Sequence, residues 1–302
     1  MKKLATAIAA IALIGTPAFA ADMAVKAPPP PPPAPVYSWT GWYVGGNVGA
    51  SLGTFKTDFN APGSVAAVLS GPGPVTASGV ASGFDELYPG GFIGGGQAGF
   101  NWQLSPLWVV GVEADFQGAD EKEHSTPNFG FVAPTFITGI IPPAFVGNFV
   151  GTAAFNYEAK IEWFGTARLR AGYLFGDGAV FTYVTGGLAY GKVDVAGTST
   201  LSATISPVIP TAPPVTQAFD HSNVNTGWVV GSGTEGKLLI PGWTYKIEGL
   251  YMDLGHLDAR GPGGSSTLTG TPGFFSTLTA AAATHTHFTD TILRVGLNYQ
   301  FH

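Results

Sequence analysis

Residues 157–173 alternate strictly between apolar and polar side chains. The odd positions hold apolar or small residues: Tyr157, Ala159, Ile161, Trp163, Gly165, Ala167, Leu169, Ala171 and Tyr173. The even positions hold all five charges of the segment: Glu158, Lys160, Glu162, Arg168 and Arg170. A period of two predicts a β-strand whose successive side chains face opposite sides. Because a Lys or Arg facing lipid costs about 2–4 kcal/mol at the bilayer midplane, the pattern predicts a transmembrane strand with its charges turned inward.

Seven further segments carry the same kind of alternation. They are residues 39–52, 90–104, 108–118, 180–195, 225–238, 243–254 and 287–301. In 180–195 neither set of alternate positions is cleanly apolar, so the register of that strand stays open. With 157–173 as the fourth in chain order, the sequence predicts eight strands.

The connections between these segments alternate in length. The long ones are residues 53–89, 119–154, 196–224 and 255–286, and the short ones are 105–107, 176–179 and 239–242. This predicts an all-β chain folded as a transmembrane eight-stranded antiparallel up-and-down β-barrel, with its tight turns and both termini in the periplasm. A soluble barrel would instead have an apolar interior. An aromatic girdle is predicted near the turn end from Trp39, Trp42, Trp102, Trp108, Trp243, Tyr299 and Phe301.

The first residues predict an export signal that is not part of the fold. Lys2 and Lys3 precede an apolar run over residues 4–14, and residues 18–20 have the A-x-A form of a signal peptidase site. We expect residues 1–20 to be a signal peptide, 21–37 a proline-rich periplasmic leader and 38–302 the barrel. The six prolines at 28–33 favour a stiff spacer, and a ligand for a proline-binding or cell-wall partner is the alternative.

Composition narrows the function classes. Charged residues make up 11% of the chain, against about 25% in ordinary globular proteins. The absence of cysteine excludes disulfides, thiolate catalysis and cysteine metal sites. The formal net charge is -6, and an acidic chain without basic clusters argues against nucleic-acid binding.

The charges on the inward face of the predicted strands nearly cancel. The acids are Glu113, Asp115, Glu158, Glu162, Glu235 and Glu248, and the bases are Lys160, Arg168, Arg170, Lys246 and Arg294. Side chains fill the interior of an eight-stranded barrel, so these charges predict a lumen plugged by ion pairs. A gated polar channel is the alternative. Glu113 and Asp115 have the spacing of an acid/base pair, but no nucleophile or metal motif accompanies them, and we expect no enzyme.

Three histidines are expected near one another at the outer rim. His285 and His287 share a strand face, and His256 follows the preceding strand. Such a group can bind a transition metal or haem iron, and three solvated loop histidines are the alternative. No cofactor is otherwise expected. The long connections are rich in small and polar residues, which suits contact with surface ligands.

Four stretches resemble a known family. Residues 39–46, 163–173, 185–191 and 294–301 resemble the small outer-membrane β-barrel proteins of alphaproteobacteria, of the OmpA-type eight-stranded kind and often described as porin-like or outer-membrane immunogenic. The resemblance implies a barrel in the bacterial outer membrane, surrounded by lipid and inserted with the help of barrel-assembly and periplasmic chaperone machinery. It implies a role in envelope integrity and surface recognition and no catalytic residues. Some relatives are linked to haemin binding.

Two residues depart from the family pattern: His302 follows the terminal aromatic residue, and Gly249 stands where relatives tend to carry Tyr.

From the strand pattern and the resemblance together, we expect a structural and surface-interaction protein. A small passive diffusion pore is the first alternative, and a haem- or metal-binding surface protein is the second. The oligomeric state stays open.

Overall fold

In the computed structural model, residues 37–69, 73–137, 143–206, 212–270 and 275–301 are described. The predicted signal peptide, most of the predicted leader and His302 lie outside these ranges. The described residues form twelve strands: β1 Gly41–Leu69, β2 Gly73–Leu87, β3 Gly90–Gln103, β4 Trp108–Ser125, β5 Asn128–Ile137, β6 Ala144–Phe175, β7 Val180–Ser206, β8 Val215–Lys237, β9 Trp243–Arg260, β10 Gly264–Thr269, β11 Phe275–Ala280 and β12 Ala283–Gln300. Within those ranges, no helix is long and apolar enough to cross a membrane.

Eight of the strands close into an antiparallel ring. The order is β1-β12-β9-β8-β7-β6-β4-β3, and β3 pairs with β1 to complete the circle. The predicted eight-stranded fold is confirmed. The tight turn between β6 and β7 places Gly176, Asp177 and Gly178 in succession at positive φ, a conformation that glycine adopts at little cost.

The predicted long loops are largely strands, and that part of the prediction was wrong. β2 pairs with β1 and β5, and β5 pairs with β6, so they continue the wall above β3 and β4. β11 pairs with β1 over Gly63–Val68, with β10 beside it. The segments pair because their backbone groups satisfy one another and their inward side chains form an apolar core.

The barrel consists of two storeys with opposite polarity. In the lower storey, at the turn end, large apolar side chains face outward in a belt that includes Leu52, Phe92, Leu169, Leu188 and Leu293, each more than 60% exposed. We take the lower storey as the membrane-spanning part. In the upper storey the apolar side chains are buried inside, and they include Phe55, Phe59, Val65, Phe149, Phe155, Tyr157 and Phe288.

Strand β6 crosses between the storeys through a β-bulge. Its register with β7 shifts between Ile161 and Trp163, so one extra residue, Glu162, enters β6 there. Below the bulge the even positions face inward, as predicted. Above it the odd positions Tyr157, Ala159 and Ile161 are buried and the even positions face outward. The prediction of one orientation for the whole segment was wrong, because the chain leaves the lipid belt at residue 162.

Trp39 does not belong to the aromatic girdle. It is fully buried, its indole Nε1 donates a hydrogen bond of 2.9 Å to the Gly178 carbonyl, and its ring packs against Phe181. Trp42, Trp102 and the other four predicted girdle residues are exposed on the outer wall. Trp39 therefore fills the turn end of the lumen.

Candidate functional site

The lumen of the lower storey contains a layer of buried charge. Four acids and four bases from five strands, each at most 5% exposed, form this lumen charge layer: Glu113, Asp115, Arg168, Arg170, Glu235, Lys246, Glu248 and Arg294. All eight were predicted to face inward. Their formal charges cancel, which is the condition for burying so many ions together.

Arg168 on β6 lies at the centre of the layer. Its guanidinium donates to Asp115 Oδ2 at 2.9 Å, to Glu248 Oε1 at 3.0 Å and to Glu113 at close range. Glu248 belongs to β9, three strands from β6 around the ring. The contact therefore spans the lumen instead of joining neighbouring strands.

Two further ion pairs cross the lumen. Lys246 Nζ lies 2.9 Å and 3.1 Å from the two oxygens of Glu113, whose strand β4 is four positions from β9 in the eight-membered ring. Arg294 Nη2 lies 2.7 Å from Asp115 Oδ2 across the lumen and 2.6 Å from Glu248 Oε2 on the neighbouring strand β9. The bonds from Lys246 to Glu113 and from Arg294 to Asp115 therefore join strands that are not neighbours in the ring.

Arg170 lies two residues beyond Arg168 on β6 and contacts both charged and neutral side chains. Arg170 donates to Glu113 and Glu235 at 3.2 Å each and to Asn101 Oδ1 at 2.8 Å. Its guanidinium also lies 4.5 Å from the ring centroid of Tyr43, which favours a cation–π contact. The hydroxyl of Tyr43 donates to Glu113 at 2.7 Å.

Three uncharged partners of the charge layer are not among the site residues predicted from the sequence. Glu235 accepts hydrogen bonds from Thr244 at 2.6 Å and Asn298 at 2.8 Å, and Tyr183 donates to Glu248 at 2.9 Å. Thr244 and Asn298 could have been identified from the sequence, because they occupy the same alternate positions of their predicted strands as the inward charges. For Tyr183 this was not possible, because the register of its strand was open.

Glycines on the inner wall make room for the large side chains. A Cβ atom at Gly99 would collide with the Tyr43 ring and hydroxyl, and a Cβ atom at Gly49 would collide with Cβ of Arg294. The close approach of these side chains to the wall therefore requires glycine at both positions.

Glu158, Lys160 and Glu162 are not in the lumen, which corrects the prediction for these three. They lie on the outer wall, where Glu162 accepts hydrogen bonds from Lys160 at 2.8 Å and from Lys192 at 2.7 Å. These hydrogen bonds lower the pKa of Glu162 to about 2. The bulge turns the side chains outward because the interior at this height is apolar.

Two buried carboxylates lie between the charge layer and the apolar core. Glu121 on β4 and Asp290 on β12 are each 1% exposed, and no Lys or Arg among the described residues forms an ion pair with either. Both lie above the apolar belt, outside the membrane-spanning segments. Burial, followed by the charge of Asp290, raises the pKa of Glu121 to about 9, and burial raises the pKa of Asp290 to about 6.

The three predicted histidines meet on the outer wall just above the belt. The ring of His256 stacks on those of His285 and His287 at centroid separations of 4.5 Å and 4.2 Å, with interplanar angles of 16°. His285 is hydrogen-bonded to Asp258 at 2.5 Å, and His287 to Asp253 at 3.0 Å. The hydrogen bond from His285 lowers the pKa of Asp258.

This arrangement does not form a metal centre. Parallel rings direct their nitrogens into separate planes instead of toward one point. Across the described ranges, no group of three or more His, Cys, Asp or Glu side chains is placed to hold a metal ion. Metal or haem binding at these histidines stays a prediction that the geometry does not favour.

Comparison with known proteins gives a family match over most of the chain. The family described as outer membrane protein beta-barrel domain matches residues 6–301. The 31 kDa outer-membrane immunogenic protein of Brucella melitensis is 38% identical over 247 residues, which cover 81% of this chain and 84% of that protein.

Solved structures give weaker matches. Ail, the attachment invasion locus protein of Yersinia pestis, is 10% identical, covering 82% of this chain and 99% of Ail, with a TM-score of 0.24. The outer membrane protease OmpT of Escherichia coli is 11% identical, covering 85% of this chain and 97% of OmpT, with a TM-score of 0.27. Similarity at this level says nothing about activity or ligands.

Proposed function

This chain belongs to the outer membrane protein beta-barrel domain family and resides in the bacterial outer membrane, and from that premise we propose that it is a closed structural barrel. Its lumen is sealed by the charge layer, and its upper storey presents a rigid surface outside the cell. The observation that carries the proposal is the set of ion pairs joining opposite walls, above all Lys246 with Glu113.

Three successive layers support a closed lumen. Trp39 fills the turn end, the charge layer occupies the middle, and the aromatic side chains of Phe55 and Phe288, 4.7 Å apart, lie above it. Water or a solute passing along the axis would have to displace all three. Because separating the partners of a buried ion pair leaves both charges uncompensated, the middle layer does not open readily.

The upper storey supports the surface role. Its wall is built from paired strands, so the outer surface is ordered instead of being carried on long loops. An ordered surface suits recognition by other molecules, because little conformational entropy is lost on binding. The Brucella relative is named as immunogenic, and we extend exposure to antibodies to this chain as part of the proposal. No catalytic activity is included, since Arg168 holds both Glu113 and Asp115 in ion pairs.

Planar-bilayer recording on the purified full-length protein tests the proposal. We expect no reproducible openings from the wild type. The double variant Glu113→Ala/Lys246→Ala removes the pair that spans the lumen and should introduce openings, whereas Lys160→Ala on the outer wall should leave the recording silent. Regular nanosiemens openings in the wild type would instead show a diffusion pore.

A further inference from the structure

Cations on the outer wall of the upper storey are concentrated on one side. Ten Lys and Arg residues are described; Arg168, Arg170, Lys246 and Arg294 are in the lumen and Lys237 is at the turn end. The outer wall above the belt carries the other five: Lys56, Lys122, Lys160, Lys192 and Arg260. Lys122, Lys160 and Lys192 lie on the neighbouring strands β4, β6 and β7, and we call them the lysine row.

The lysine row places like charges side by side. Lys122 and Lys160 are directly opposite each other in the register of β4 and β6. Like charges directly opposite on one face destabilise a sheet unless something else neutralises them. Lys160 contacts Glu162 and Asp194, at 2.8 Å and 3.5 Å.

Among the described residues, ion pairs involve only two of the three lysines of the row. Lys192 shares Glu162 with Lys160, at 2.7 Å. No carboxylate among the described residues, the exposed Asp120 included, forms an ion pair with Lys122. Glu162 and Asp194 are thus the carboxylates that pair with the row in the described part of the chain, and Lys122 is the lysine whose ammonium group has no such partner.

The row lies directly above an aromatic cluster at the edge of the belt. Trp163 packs against Phe116 with ring centroids 5.4 Å apart and against Tyr190 at 6.3 Å. Trp163 is paired in register with Lys192, and the bulge at Glu162 separates it from Lys160. Aromatic rings mark the level of the membrane interface, and cations just beyond it lie at the depth of lipid headgroups.

We propose that the lysine row, with Phe116, Trp163 and Tyr190 beneath it, binds the phosphate groups of a phosphorylated lipid in the outer leaflet. The ammonium groups contact phosphate while the rings pack against the upper part of the acyl chains. Glu162 and Asp194 hold Lys160 and Lys192 in place, and Lys122 supplies the charge that lacks a partner. The ligand is the lipid, held by both its phosphate and its acyl chains, and not free phosphate.

Binding of diphosphorylated lipid A to the folded full-length protein in detergent micelles, followed by native mass spectrometry, tests this proposal. The triple variant Lys122→Gln/Lys160→Gln/Lys192→Gln should bind at least tenfold more weakly than the wild type. Lys56→Gln is the matched control, because Lys56 lies on the outer wall of the upper storey on β1 and is already paired with Glu86 at 3.1 Å. It should change the affinity less than twofold.

Two further arms separate the phosphate from the rest of the ligand. Dephosphorylated lipid A should bind the wild type and the triple variant equally weakly, and millimolar inorganic phosphate should leave lipid A bound. Equal affinity of the triple variant and the wild type for lipid A, or a loss in the Lys56 control as large as in the triple variant, would overturn the proposal. Complete displacement by inorganic phosphate would overturn the assignment to a lipid.

Discussion

The two halves of strand β6 bury opposite positions of one unbroken sequence pattern. Below the bulge Arg168 and Arg170 face the lumen, and Leu169 is 68% exposed on the outer wall. Above it, the odd positions Phe155 and Tyr157 are buried inside, and the even positions lie outside. The apolar positions are odd in both halves, so the bulge reverses the side they face. Apolar side chains face outward where lipid surrounds the barrel and inward where water surrounds it. One extra residue in the strand produces this change of side.

Strand β1 makes the same change by a different route. Its odd positions face inward along its whole length, with no register shift against β12. The chemistry of those positions changes instead, from Asn47 and Ser51 in the lower storey to Phe55 and Phe59 in the upper one. A strand that passes from lipid to water can therefore change in one of two ways. A bulge can reverse the side that its alternate positions face, or the residue types at those positions can change.

Deleting Glu162 should have the largest effect on this contrast. Without the extra residue, either Lys160 enters the apolar core or Arg168 and Arg170 turn toward lipid, at about 2–4 kcal/mol each. We expect no folded barrel, measured as loss of the mobility difference between unboiled and boiled samples on a denaturing gel. Glu162→Gly keeps the residue count and should fold, because it removes only exposed ion pairs worth about 0–1 kcal/mol. A deletion variant that folds normally would contradict this role of the bulge.

Glu113→Ala tests how much the lumen charge layer stabilises the lower storey. It removes the carboxylate shared by Arg168, Arg170 and Lys246 and leaves three cations buried with too little negative charge. We expect a loss of about 3–5 kcal/mol in the free energy of unfolding, measured by urea titration in detergent micelles. The control Glu158→Ala on the outer wall should change it by less than about 0.5 kcal/mol. Similar losses in both variants would show that the ion pairs add little stability.

Phe59→Ala tests how much the apolar core stabilises the upper storey. Phe59 packs against Phe155 at 4.5 Å and Tyr157 at 5.1 Å, and its removal leaves a cavity costing about 3 kcal/mol. We expect faster hydrogen exchange in β2 and β5 with no change in the lower storey. Phe84→Ala, at a position 73% exposed on β2, is the control and should have little effect. Faster exchange throughout both storeys would show that they unfold as one unit.

Glu121→Gln should change stability least at pH 5, where the native carboxyl group is largely protonated, and its effect is visible as a change in pH dependence. The carboxyl group stays protonated in the folded barrel up to a pKa of about 9, whereas its ordinary value is 4.5. Between these values the unfolded chain binds fewer protons, so this group makes stability fall as pH rises, by up to about 1.4 kcal/mol per pH unit. Urea titrations from pH 5 to 9 should show a shallower decline for the variant. The control Glu123→Gln, at an exposed position two residues away, should follow the pH dependence of the wild type. If Glu121 were charged in the folded barrel, Glu121→Gln would also follow the wild type, and the prediction would be wrong.

The strands that cross the belt could be predicted from the sequence. Alternation identified the ring strands, with the register of 180–195 left open, and placed all eight members of the charge layer on the inward face, because lipid penalises an outward charge at each of those positions. It failed above the belt, where Glu158, Lys160 and Glu162 were assigned to the lumen and segments such as β2 were expected to be loops. Glu121 was missed because the strand was expected to end at residue 118, and Asp290 was missed even though it shares the parity of Arg294.

The sequence by itself determined the number of ring strands, their period of two and, within a stretch free of bulges, which side chains share a face, since these follow from local backbone geometry. Only the tertiary structure decided which side of the wall each face meets. That choice depends on whether lipid, water or the opposite wall lies beside the strand at a given height. The ion pair between Lys246 and Glu113, 133 residues apart in the chain, exists only because the ring closes and brings opposite walls within reach.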